Sequence, residues 1–104
     1  MIQQFTLNEK IAVVSILSQI MYADGIIHPK EEEYMDKVYD ELGLTINDID
    51  DITNMDDIQA YIILNEMTIS KREYAHSLFL SMAESDGYVH PKEKEIIDRV
   101  FKLG

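Results

Sequence analysis

The chain has no cysteine, so disulfides, iron–sulfur clusters and thiol chemistry are closed to it. No apolar run reaches the roughly 18 residues of a membrane-spanning helix. The stretch Met1-Ile-Gln-Gln-Phe-Thr-Leu-Asn-Glu9 lacks the basic start and cleavage site of a signal peptide. The expectation is a soluble, cytoplasmic protein. Basic residues are also scarce, 9 Lys and Arg against 20 Asp and Glu, for a formal net charge of −11. Between Val38 and Ser70 there is no Lys or Arg, whereas Asp40, Glu41, Asp48, Asp50, Asp51, Asp56, Asp57 and Glu66 all fall there. Such a field repels phosphate backbones and anionic lipid, which argues against nucleic-acid partners and membrane-surface binding, and the lack of a long apolar run argues against direct membrane insertion. Its natural partners are cations or a protein with a basic surface. The signatures of catalysis are missing too: no Gly-rich phosphate loop, no HExxH and no nucleophile elbow. Close carboxylate pairs mean little in so acidic a chain, and the expectation is a non-enzymatic protein.

What the sequence does contain is a repeat. Tyr22-Ala-Asp-Gly-Ile-Ile-His-Pro-Lys-Glu-Glu-Glu33 returns as Glu84-Ser-Asp-Gly-Tyr-Val-His-Pro-Lys-Glu-Lys-Glu95, 62 positions later. From Asp24 to Tyr39 against Asp86 to Phe101, nine of sixteen positions are identical. Agreement of that density at one fixed offset is an internal repeat.

Around the repeat the periodicity is helical throughout. Thr6-Leu-Asn-Glu9 has the form of a capping box, and the apolar run Lys10 to Ala23 predicts a deeply buried helix. Asp24-Gly25 ends it, Ile27 points inward, and His28-Pro29 opens a helix with Tyr34, Met35, Val38, Tyr39 and Leu42 as its stripe. Gly43 closes that helix. Glu33–Lys37 and Glu95–Arg99 are spaced as i, i+4 ion pairs. Thr45 to Thr53 predicts a short helix with an apolar edge of Ile46, Ile49 and Ile52. Another begins at Asn54 or Met55 and runs to Met67, burying Ile58, Tyr61, Ile62, Ile63 and Leu64. Ser70-Lys-Arg-Glu73 has the form of a second capping box, before a helix burying Tyr74, Ala75, Leu78, Phe79, Leu80, Met82 and Ala83. Asp86-Gly87 stops it and His90-Pro91 starts the last helix, with Ile96, Ile97, Val100 and Phe101 inside. No segment shows strand alternation. The expected fold is all-α, about six helices in a single domain over 1–104. Its two helix–turn–helix arms, about 6–43 and 70–104, form an antiparallel pseudo-twofold pair, with middle helices over 44–69.

Four readings of the repeated turn stay open. In the first, every repeated residue has a folding role: Asp24 and Asp86 close Asx-turns, the glycines turn the chain, and His28 and His90 cap the helices that Pro29 and Pro91 begin. In the second, the turn binds metal. Asp-Gly-x-Ile/Val-x-x-x-Glu matches the back half of an EF-hand loop, but Ile20 and Tyr22, or Met82 and Glu84, stand where its first ligands belong. That leaves a weaker divalent site using the turn aspartates with Glu31, Glu32 and Asp36, or Glu93 and Asp98. In the third, the turn histidines join nearby carboxylates to hold zinc or manganese. In the fourth, the basic-free stretch meets a positively charged protein. His76, mid-helix and without a repeat partner, is expected at a surface or groove.

The arms resemble the TerB-like, tellurite-resistance-associated family. The resemblance is carried by Met21-Tyr-Ala-Asp-Gly-Ile-Ile27 with Glu31, after a strongly apolar helix, and by Asp86-Gly-Tyr-Val89 with Glu93. It implies a small acidic helical domain built from two related helical pairs. It also implies an association with tellurite and chemical-stress resistance in bacteria, and a kinship with domains found in co-chaperones. Divalent-metal binding by the family's acidic residues falls here on Asp24, Glu31, Asp86 and Glu93. The chain departs from the family at His28-Pro29 and His90-Pro91, where a small polar cap is more usual. The resulting expectation is a non-enzymatic binding or scaffolding module in a tellurite or chemical-stress response, with a weak divalent-cation site. The alternative is a metal-free regulatory or co-chaperone-like domain that docks through its acidic face.

Overall fold

Thr6 starts the first helix as the local sequence dictates. In the computed structural model, which describes residues 5–23, 25, 27–85, 87 and 89–100, its side chain accepts from the Glu9 N–H at 3.2 Å and its N–H donates to Glu9 Oε1 at 2.8 Å. This closed capping box opens α1, Leu7–Tyr22. Ile11 to Leu17, Ile20 and Met21 are all buried, so α1 is the core helix. It packs against every other α-helix of the described chain: α2 (Pro29–Leu42), α3 (Ile49–Asn54), α4 (Asp57–Glu66), α5 (Ile69–Glu84) and α6 (Pro91–Val100). A 3-10 turn, Ile46–Asp48, leads into α3, and there is no strand among the described residues. The fold is all-α, as expected.

The offset of 62 that relates the repeats also relates the bounds of α1 and α5, Leu7–Tyr22 and Ile69–Glu84. Gly25 and Gly87 follow them at φ of 79° and 88°, a backbone that side chains disfavour. At the end of α2, Gly43 has φ 69° and donates to the Asp40 carbonyl, while the Leu44 N–H reaches back to the Tyr39 carbonyl at 3.0 Å. Leu44 is buried beyond this turn, completing a Schellman closure.

Several expectations are corrected. The α5 cap is Thr68, whose side chain accepts from the Lys71 N–H at 3.3 Å, not Ser70. Lys71 therefore stands where a capping box has its acid, and its Nζ instead binds Glu9 at 2.9 Å, joining the starts of α1 and α5. The middle helices break at 55–56, with Asp56 as the cap of α4, so α4 starts later than expected. That phase buries Ala60, Tyr61 and Leu64 and turns Ile58 and Ile62 to solvent. Of the apolar edge Ile46, Ile49 and Ile52, only Ile52 is buried, and Ile27 is exposed rather than inward. Tyr34, Tyr39, Tyr74, Leu80 and Ile96 pack against the core half-buried. The i, i+4 pairs Glu33–Lys37 and Glu95–Arg99 do not form among the described residues, where all four side chains are exposed. Phe101 lies outside the described residues.

Candidate functional site

The buried stripe of α2 runs Glu31, Met35, Val38, Leu42, at helical spacing. The stripe of α6 is Glu93, Ile97, Val100 in the same phase. A glutamate thus leads each apolar face, at the third position of its helix. Both are fully buried. Glu93 Oε1 accepts from the His90 N–H at 3.1 Å, the returning half of a capping box. The His28 amide approaches Glu31 and favours its charged form, though at a geometry short of a hydrogen bond. While both carboxylates are ionised, Glu31's two oxygens and Glu93 Oε2 are buried with no hydrogen-bond donor.

The two carboxylates face each other. Ionised, each is an acceptor only, so no hydrogen bond can form between them without a proton. Burial, then a hydrogen bond with Glu93, then the Glu93 charge raise the Glu31 pKa to about 8, while the His28 charge pulls it back. Two buried carboxylates at contact cannot both stay ionised without a countercharge, for which a shared proton, a bound cation and the His28 charge are the candidates. Three residues before each of them in sequence, the rings of His28 and His90 stack with centroids 5.3 Å apart. His28 holds the N-cap position with extended backbone, but its side chain makes no capping hydrogen bond. The expected histidine cap is replaced at that helix by a histidine stack.

Of the four expected metal residues, the structure brings Glu31 and Glu93 together, and Asp24 and Asp86 lie outside the described residues. Glu32, Asp36 and Asp98 are exposed. No group of three or more His, Cys, Asp or Glu able to hold a metal occurs among the described residues. The pair fits a divalent cation in charge and in donor type, since hard cations take carboxylate oxygens. It supplies two ligand residues, so further oxygens must come from elsewhere. His76 is half-buried within α5. The burial of the two glutamates was readable from their phase, four residues ahead of Met35 and Ile97, rather than from their place in an acidic first turn.

No helix among the described residues is long and apolar enough to cross a membrane. A family model described as Tellurite resistance protein TerB matches residues 1–54. That span takes in α1, the first Asp-Gly turn, α2 and α3, including Glu31. Searches of curated proteins and of solved structures return no match.

Proposed function

The chain belongs to the TerB family, and from that premise we propose a non-catalytic, cytoplasmic binding module of a bacterial tellurite or chemical-stress response, whose Glu31–Glu93 pair takes up a divalent cation with Asp24 and Asp86. One observation carries the reading: two fully buried carboxylates meet, and while both are ionised three of their oxygens have no hydrogen-bond donor. Buried polar atoms left in that state are unusual, and a bound ion is one group that satisfies them. A divalent ion balances both glutamates at once. The two helix N-termini from which they project add positive potential without replacing that charge.

Thermal unfolding of chelator-treated protein with Ca²⁺, Mg²⁺, Mn²⁺ or Zn²⁺ tests this. An ion at 100 times its dissociation constant adds about 2.7 kcal/mol of stability. The shift is expected in the parent and absent from Glu31→Gln/Glu93→Gln. No shift with any ion would leave the shared proton or the His28 charge as the countercharge. That second reading is a metal-free interaction domain that docks through its acidic face.

A further inference from the structure

A different face of the molecule carries its own inference. Tyr39 and Ile49 line two adjoining open depressions. The first lies between α2 and the 3-10 turn, has a volume of about 530 Å³, and is floored by Met35, Tyr39, Leu44, Ile46 and Ile49. The second, about 420 Å³, lies between α1, α3 and the start of α4, and continues the apolar floor through Ile52 and Met55. Ile46 is 80% exposed and Ile49 42% exposed, so large aliphatic surface faces water along one furrow. Exposed aliphatic side chains grouped along one furrow, rather than scattered singly, are what an interaction site would present.

The charge along the furrow is of one sign. Asp36 and Asp40 line the first depression and Asp57 the second, and neither contains a Lys or Arg. Asp48 stands close enough to Tyr39 to raise its phenol pKa, after burial. We propose that this furrow is a docking groove for a cationic amphipathic helix of a partner protein, its apolar face on Tyr39, Ile46 and Ile49 and its Lys or Arg residues against the aspartates. A second copy of this chain is the wrong occupant, because each copy carries a net charge of −11 and would bring acid onto acid. Nucleic acid and anionic lipid are repelled for the same reason. The described residues contain no sheet edge for an extended peptide to join, whereas furrows between helices accept a helix through anchors at i, i+3/i+4 and i+7. Met35 and Met55 give the floor an adaptable lining.

The test is fluorescence anisotropy with a labelled synthetic Leu/Lys amphipathic helix of about 18 residues, five turns, in chelator so that the cation site plays no part. The comparison peptides are a scramble of the same composition without an apolar face, and a Leu/Glu version. The amphipathic cationic peptide is expected to bind at least tenfold tighter than either. Ile46→Ser/Ile49→Ser, exposed positions that leave the charge unchanged, is expected to weaken binding tenfold or more. Asp36→Asn/Asp40→Asn is expected to weaken it and flatten its salt dependence. Ile58→Ser/Ile62→Ser, exposed on α4 outside the furrow, should bind as the parent does. Circular dichroism confirms that each variant is folded. Equal binding of the scramble, no effect of Ile46→Ser/Ile49→Ser, or no binding at all would overturn the proposal without touching the cation reading.

Discussion

The imidazole rings of His28 and His90 stack at 15° from parallel, with centroids 5.3 Å apart, although 62 positions separate them in the chain. The stack lies where α2 and α6 begin. Each helix then delivers its third residue, Glu31 or Glu93, into the interior. The same turn therefore does folding work and creates an electrostatic problem. Two helix N-termini meet favourably with carboxylates, but the carboxylates also meet each other.

This conflict predicts a pH dependence. The Glu31 pKa rises from 4.5 to about 8 in the folded chain, through burial first and Glu93 second. Between those values the folded state holds a proton that the unfolded state has released. Stability contributed by the shared proton is present below the window and is lost as pH rises through it, with no further change from this pair above it. Chelator-treated parent should therefore lose more stability between about pH 5 and about pH 9 than Glu31→Gln does, by up to a few kcal/mol. Urea unfolding at a series of pH values reads the difference. Parallel curves for parent and variant would mean that the glutamates do not share a proton.

The turn glycines make a second prediction. At Gly25 and Gly87 nothing lies within 4 Å of the place a Cβ would take, so an added methyl meets no neighbour. The penalty is the positive φ alone. Gly25→Ala and Gly87→Ala should each cost about 1–2 kcal/mol, and asparagine, which tolerates this conformation better, should cost less. An asparagine penalty exceeding that of alanine would show crowding instead. Thermal denaturation of the four single variants separates the two causes.

Much of this fold was legible because its signals are local. Thr6 with Glu9, Pro29 and Pro91, and the three positive-φ glycines each act within a few residues, and the structure has them as expected. The errors lie where tertiary packing decides. Thr68 and Ser70 are both acceptable caps, and the salt bridge from Lys71 to Glu9 belongs to the arrangement in which Thr68 prevails. In α4 a dense apolar run, Ile58 to Leu64, offers several faces, and the start at Asp57 selects one. The candidate site was half legible. Glu31 and Glu93 stood out by repetition, but their burial against each other depends on contacts 62 residues apart.

Core and furrow residues should respond oppositely to truncation. Phe79 is among the largest fully buried side chains. Phe79→Ala should cost about 3–5 kcal/mol through lost burial and a cavity. Ile46→Ala removes an equally apolar group from water, and should change stability by no more than about 0.5 kcal/mol. Chemical denaturation of both variants checks the contrast. A large loss from Ile46→Ala would mean that the furrow is structural rather than a free surface.

The last prediction concerns Glu9, which works for two helices at once. Its Oε1 accepts from the Thr6 N–H at 2.8 Å and from Lys71 Nζ at 2.9 Å. Burial would raise its pKa, but the Lys71 and Thr6 hydrogen bonds prevail and hold it below the usual carboxylate value. Thr6→Ala removes one capping partner and should cost about 1 kcal/mol. Glu9→Ala should cost more, since it breaks the cap of α1 and its bond to α5 together. The α5 share is measured by a double-mutant cycle with Lys71→Ala, and for a partly exposed pair it should fall within about 0.2–1 kcal/mol. A depressed carboxylate contributes stability above its unfolded pKa and loses it as pH falls toward the folded one. The Glu9–Lys71 coupling should therefore be intact at neutral pH and vanish in acid, in the opposite direction to the Glu31–Glu93 pair. A coupling energy unchanged between neutral and acid pH would show that Lys71 acts on Glu9 through packing rather than charge.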